Sequence, residues 1–121
     1  MYGKLDVELM NRACEILKEY QDFECFSKVG ADVKTFLCDI YHASWQEKEG
    51  VLIFEIMANR FLRNMVRAIV GTMVELGQYK IDLQDFRKII ESKNRSEAGF
   101  SVPAQGLFLA DVSYPREILN L

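Results

Sequence analysis

Residues 51–77 read VLIFEIMANRFLRNMVRAIVGTMVELG and join a strand pattern to a helix pattern. Residues 51–58 are apolar on both faces of a strand except at Glu55, which predicts a strand in the centre of a sheet. From Phe61 to Leu76 apolar residues recur at helical spacing, so we expect a long amphipathic helix. Gly77 fits the position just past its end. The other predicted segments are assigned relative to this strand and helix.

Helix and strand patterns on either side of this pair predict the fold class. Asp6 and Asp82 are good N-caps for two further helices. Residues 34–46 and 106–114 read as strands, with Pro115 ending the second. The order is helix, strand, strand, helix, helix, strand. It predicts an α+β fold, with a small antiparallel sheet of about three strands and helices packed on one face. Because so small a sheet is marginal, we expect it to be half of a larger one.

Composition places the chain among ordinary globular proteins. It has 121 residues, of which 50% are hydrophobic and 27% charged, and we expect residues 1–121 to form a single domain. There is neither an apolar run long enough to span a membrane nor a secretory h-region, so we expect no membrane partner and a cytoplasmic location. Three cysteines without a CxxC pair, and a single histidine, make a metal site improbable. We therefore expect no metal and three reduced thiols, most of them buried.

The charge pattern singles out three arginines. The net charge is −3, yet between Glu55 and Glu75 the only charged residues are Arg60, Arg63 and Arg67. Their spacing of three and four residues would place them on one face of the predicted helix. Such a face favours an anionic partner, either phosphate or a carboxylate elsewhere in the protein. The alternative is three solvated arginines with snorkelling stems.

The neighbours of these arginines refine the prediction. Asn64 lies beside them, and the small residues Ala68 and Gly71 continue the same face. A cationic half-face followed by small residues is expected where a helix approaches a bulky anionic ligand or another backbone. Arg67 fits a solvated role least, because it lies deep in an apolar stretch. His42 has no predicted partner and is expected to be structural.

Several segments resemble one family. Residues 58–72 resemble the signature helix of the tRNA pseudouridine synthase A family, and residues 94–99 with 103–109 resemble its second C-terminal signature. Residues 5–8, together with Asp22, Phe23 and Phe26, fit the family's first helix and the loop that follows it. The matches occur in the right order and span nearly the whole chain.

The resemblance implies an activity and a missing part. Family members isomerise uridine to pseudouridine in the anticodon stem-loop of tRNA (positions 38–40) without a cofactor. Their catalytic aspartate belongs to an Arg-Thr-Asp motif in the N-terminal half, and no Arg-Thr-Asp occurs here. The chain is therefore expected to be the C-terminal portion, inactive alone. Its expected partners are tRNA, the missing N-terminal half and, in the full-length enzyme, a second copy in a homodimer.

The same resemblance assigns roles to individual residues. Arg67 matches the active-site arginine that pairs with the catalytic aspartate. Arg60, Arg63 and Asn64 would contact tRNA. Gly106 and Leu107 would line the uracil pocket. Two other interpretations of the chain remain: an RNA-binding module without chemistry, supported by the arginine face, and a dimerisation module that uses an exposed sheet edge.

Overall fold

The computed structural model describes residues 5–30 and 34–102, and the strand backbones of residues 107–109 and 116–120. These residues form three α-helices and an antiparallel sheet, which confirms the α+β class. In chain order the elements are α1 (Val7–Leu17), β1 (Ile40–Lys48), β2 (Val51–Ala58), α2 (Met65–Gly77), α3 (Leu83–Ser92), β3 (Leu107–Leu109) and β4 (Arg116–Asn120). Short 3₁₀ turns cover Glu24–Phe26 and Arg95–Glu97.

The sheet has the strand order β1-β2-β4-β3, so β2 is central, as its apolar sequence predicts. Trp45 lies opposite Phe54 across β1 and β2, and Ile56 lies opposite Glu117 across β2 and β4. The fourth strand is a correction to the predicted sheet of about three strands. Pro115 is predicted to end the strand over 106–114, of which residues 107–109 are described as β3 and the rest lie outside the described residues; β4 begins one residue after Pro115. Proline is tolerated just outside a strand, because there it removes no ladder hydrogen bond.

β1 begins later than the strand predicted over 34–46, because residues 36–39 bond to other loops. The Phe23 amide donates to the Phe36 carbonyl at 3.1 Å, and the Cys38 amide donates to the Gln21 carbonyl at 2.8 Å. The Asp39 amide donates to Asn59 Oδ1 at 2.8 Å. Backbone groups used in this way are not available for pairing with β2.

An asparagine on α1 caps the outer edge of β1. Asn11 Nδ2 donates to the Trp45 carbonyl at 3.1 Å, and Asn11 Oδ1 accepts from the Trp45 amide at 2.7 Å. Both main-chain groups of Trp45 are therefore satisfied without a further strand, which protects this part of the edge from pairing with another chain.

Gly77 has a role other than the predicted one just past the end of α2. It is the last residue of the helix, and Tyr79 takes the left-handed conformation with φ 63°. A Cβ on Gly77 would lie 2.7 Å from Sδ of Met10 on α1. The Gly77 carbonyl also accepts from the Asp6 amide at 3.0 Å. Glycine here permits the close approach of α1 to α2.

Both aspartates that are predicted to cap helix N-termini do so. The Asp6 side chain accepts from the Leu9 amide at 3.0 Å. Asp82 and Asp85 form a reciprocal capping box at the start of α3. α1 packs against β1, and the alternate buried side chains of β2 belong to the same core as those of α1 and α2. The largest fully buried side chains of the described residues include Phe23, Phe26, Phe54, Phe86, Met10, Leu17, Leu52, Ile56 and Met65.

The three cysteines are buried free thiols, as expected. Burial raises the pKa of Cys14 and of Cys25 from 9.0 to about 12. The pKa of each thiol is higher in the folded state than in the unfolded chain. The contribution of each thiol to the free energy of unfolding is therefore fully present below pH 9 and is lost as the pH rises from 9 to about 12. We predict that the free energy of unfolding falls by about 1–2 kcal/mol per thiol between pH 8.5 and 10.5.

Urea unfolding followed by circular dichroism at the two pH values measures this loss. The Cys14→Ala variant is the control for other titrating groups, because it removes only the share of Cys14. An identical pH dependence in the variant and the unmodified chain would contradict the prediction.

Candidate active site

The start of α2 corrects the predicted arginine face. The helix begins at Met65, so Arg60 and Arg63 precede it and do not share a helical face with Arg67. Asn64 is the N-cap and has the left-handed conformation, with φ 70°. A right-handed helix cannot continue through such a residue, so Phe61 and Leu62 lie in an irregular segment before the turn at residues 63–64.

The Arg60 side chain forms hydrogen bonds to the loop that precedes β1. Its Nη1 donates to the carbonyls of Thr35 at 3.0 Å and Leu37 at 3.1 Å. The side chain thus ties the segment that follows β2 to the one that precedes β1. This use of Nη1 leaves Arg60 with less capacity for RNA than the sequence pattern implies.

Arg63 and Asn64 form the turn that leads into α2. Arg63 is exposed, and its carbonyl accepts from the Lys28 amide at 2.9 Å. Asn64 is half-buried, and its Nδ2 donates to Ser101 Oγ at 2.7 Å. Of the two, Arg63 has the freer side chain and is the better candidate for a phosphate contact.

Arg67 is half-buried in the first turn of α2 and is held by Val102. Its Nε donates to the Val102 carbonyl at 2.7 Å, and its own carbonyl accepts from the Val102 amide at 3.1 Å. Val102 is itself buried. The bond from Nε orients the side chain, and the backbone bond holds Val102 beside Arg67.

The small-residue face of α2 is covered by backbone, one of the two possibilities that the sequence leaves open. A Cβ on Gly71 would lie 1.6 Å from the Phe100 carbonyl oxygen. The Gly99 amide donates to Thr72 Oγ1 at 2.8 Å, and Thr72 donates in turn to the Ala68 carbonyl at 2.9 Å. We call residues 98–102 the α2-covering loop.

Two supporting residues lie in the signature segments 58–72 and 94–99 but received no individual role from the sequence. Thr72 is buried and holds the α2-covering loop, and a polar residue within an apolar helix stretch is the signal that could have found it. Arg95 donates to the Gly99 carbonyl at 3.1 Å and to Ser101 Oγ at 2.8 Å. No local pattern distinguishes Arg95 from a solvated arginine.

The guanidinium of Arg67 keeps its far end free within the described part of the chain. Only Nε has a hydrogen-bond partner there, and no ion pair between described residues includes Arg67. Arginine binds a carboxylate or phosphate best through two parallel N–H groups. Among the described residues the two Nη groups of Arg67 have no partner, so nothing in that part of the chain competes with an oxyanion for them.

Two predicted site residues are beyond what the structure describes. Gly106 lies outside the described residues, and Leu107 is described only as the first backbone position of β3. The side chains over residues 5–30 and 34–102 include no group of three or more His, Cys, Asp or Glu that could hold a metal ion. None of the helices in the described ranges has the length and apolar character needed to cross a bilayer.

Comparison with known proteins identifies the family. A family model described as tRNA pseudouridine synthase matches residues 13–115. The chain belongs to the tRNA pseudouridine synthase family, as the sequence motifs indicate.

Several curated relatives carry the name tRNA pseudouridine synthase A. The protein from Parabacteroides distasonis is 53% identical over 116 residues, which cover 96% of this chain and 46% of the relative. That from Bacteroides fragilis is 54% identical over 121 residues, 99% of this chain and 48% of the relative. The protein from Clostridium acetobutylicum is 43% identical over 114 residues, which cover 93% of this chain and 47% of the relative. The chain thus spans about half the length of the curated relatives it matches.

Proposed function

We propose that this chain is the C-terminal half of a tRNA pseudouridine synthase. In the complete enzyme it supplies an active-site arginine and a tRNA-binding surface, and the other half supplies the catalytic aspartate. The enzyme then isomerises uridine to pseudouridine in the anticodon stem-loop of tRNA, without a cofactor. The observation that carries the proposal is Arg67, half-buried and anchored through Nε, with both Nη groups unpaired among the described residues.

The proposed role of Arg67 follows from elementary electrostatics. A fixed cation beside a carboxyl group lowers its pKa and keeps it ionised, as a nucleophile requires. Two parallel hydrogen bonds from the Nη groups also hold the carboxylate in one orientation. The target uridine must leave its stack to reach this group, and Gly106 with Leu107 is the proposed wall of its pocket. Arg63 is the proposed contact to a tRNA phosphate, with Asn64 and Arg60 supporting the same turn.

A chimera tests the proposal directly. This chain is fused to the part of the Bacteroides fragilis relative that it does not match, and pseudouridine is measured in anticodon stem-loop RNA. We expect the chimera to form pseudouridine and the 121-residue chain alone to form none. Light scattering on the chimera tests the proposed homodimer. Pseudouridine formation by the chain alone, or an inactive chimera that folds and binds tRNA, would contradict the proposal.

A second candidate is an RNA-binding module without chemistry, which the exposed Arg63 favours. Steeply salt-dependent tRNA binding by the isolated chain, together with an inactive chimera, would support it. A dimerisation module built on an exposed edge is less favoured, because Asn11 already occupies both main-chain groups of Trp45 on β1.

A further inference from the structure

A cleft of about 480 Å³ lies beside the turn that precedes α2. One wall is the segment that follows the first 3₁₀ turn, and the other is the connection between α3 and the second 3₁₀ turn. Its principal lining residues are Glu24, Ser27, Lys28, Phe36, Lys93 and Arg95. The volume lies within the range of sites for small organic ligands and exceeds what one inorganic ion fills.

Ser27 is the unusual feature of this cleft. Its side chain is only 3% exposed, and its hydroxyl has no hydrogen-bond partner among the described residues. Burying a hydroxyl without a partner costs free energy, so such groups are rare and mark strain or a ligand site. The Oγ atom has almost no contact with solvent, so an oxyanion in the cleft gives this O–H an acceptor once the side chain rotates towards the cleft.

The charges around the cleft favour an anion, although the whole chain is acidic. Lys28, Lys93 and Arg95 face a single lining acid, Glu24. Lys28 is exposed and takes part in no ion pair within the described ranges. Lys93 approaches Asp22 at 3.6 Å, and its side chain remains 58% exposed. Both ammonium groups can therefore turn towards a ligand.

The cleft adjoins the proposed tRNA-binding turn. The Lys28 amide donates to the Arg63 carbonyl at 2.9 Å, so Ser27 and Arg63 belong to neighbouring, hydrogen-bonded segments. An RNA strand in contact with the Arg63 side chain is within reach of the cleft. The ring of half-buried Phe36 supplies an apolar surface next to the cations.

We propose that this cleft binds one nucleotide of an RNA strand, separately from the uridine that reacts. The Ser27 side chain rotates and donates its hydroxyl hydrogen to a phosphate oxygen. Lys28 and Lys93 neutralise the phosphate charge, and the nucleoside packs on Phe36. The Glu24 carboxylate repels the phosphate and thereby lowers the affinity of the cleft for the nucleotide. The inference rests on the proposed function for its choice of RNA as the source of the phosphate.

The test measures binding of fluorescein-labelled hexauridylate to the 121-residue chain by anisotropy, with inorganic phosphate as competitor. Ser27→Ala and Lys28→Gln are each expected to weaken binding about fivefold to tenfold, the scale of a charge-assisted hydrogen bond. Lys28→Gln should also lower the salt slope by about 0.7. Glu24→Gln should tighten binding. The control is Lys88→Gln, an equal loss of charge at an exposed position on α3, with an expected change below about twofold.

Each outcome decides the proposal. Because Lys28 is exposed, its variant is expected to fold, and circular dichroism checks this. Hexauridylate binding that is unchanged in both Ser27→Ala and Lys28→Gln overturns the proposal. Phosphate binding that depends on Ser27 but is not displaced by hexauridylate makes the site one for free phosphate and overturns the RNA assignment. An inactive chimera whose hexauridylate binding still depends on Ser27 and Lys28 overturns the proposed function and leaves this inference standing.

Discussion

Replacing Arg67 with glutamine in the chimera is expected to lower kcat for pseudouridine formation about 10²–10³-fold, the usual effect of losing one preorganised polar contact. Glutamine keeps a polar side chain of similar length but removes the cation and the paired N–H groups. Without the cation, the pKa of the catalytic aspartate rises. Single-turnover assays with anticodon stem-loop RNA measure the rate directly.

The pH profile separates this electrostatic role from a purely structural one. In Arg67→Gln the acidic limb of the rate profile should move to higher pH, because the nucleophilic carboxylate then needs a higher pH to ionise. Arg63→Gln is the matched control: it should raise KM for tRNA and leave kcat and the acidic limb in place. Full activity in Arg67→Gln, or a uniform loss of rate without any shift of the limb, would refute the assigned role.

Gly71→Ala is expected to destabilise the protein by about 2–4 kcal/mol. Alanine at an unobstructed helix-interior position stabilises by about 1 kcal/mol relative to glycine, so the expected sign is the opposite of the usual one. The reason is the 1.6 Å distance between the added Cβ and the Phe100 carbonyl oxygen. Backbone cannot yield as a flexible side chain can, so the α2-covering loop must move. Urea unfolding measures the loss.

Amide hydrogen exchange shows which residues are destabilised by Gly71→Ala. The Gly99 amide, bonded to Thr72, should exchange faster in this variant. Gly50→Ala is the comparison, because a Cβ there meets nothing within 4 Å and the cost comes only from its φ of +80°. That variant should lose about 1 kcal/mol without altering Gly99 exchange. A gain of stability in Gly71→Ala would show that the loop does not contact the helix.

Features with local causes could be predicted from the sequence. The caps at Asp6 and Asp82 depend on side chains next to the helix start, so the pattern alone identifies them. The central position of β2 follows from its apolar residues on both faces. The cover over Gly71 was predicted as one of two alternatives, since a stripe of small residues does not say whether backbone or ligand approaches it.

Features with long-range causes could not be predicted. The sequence spaces Arg60, Arg63 and Arg67 as on one helical face. Because Asn64 has a left-handed conformation, α2 begins only at Met65, after Arg60 and Arg63. That conformation is accompanied by a hydrogen bond from Asn64 to Ser101, 37 residues along the chain. The buried hydroxyl of Ser27 depends in the same way on contacts between distant segments.

The anchoring of Arg67 on Val102 has a mechanical consequence. The segment proposed to receive the uracil ring continues from Val102, and Leu107 is five residues further on. Among the described residues the acceptor of Arg67 Nε is the Val102 carbonyl, so a displacement of Val102 changes the direction of the guanidinium. The direction of the cation is thus set by a main-chain group, and a mutation of a neighbouring side chain does not remove this acceptor.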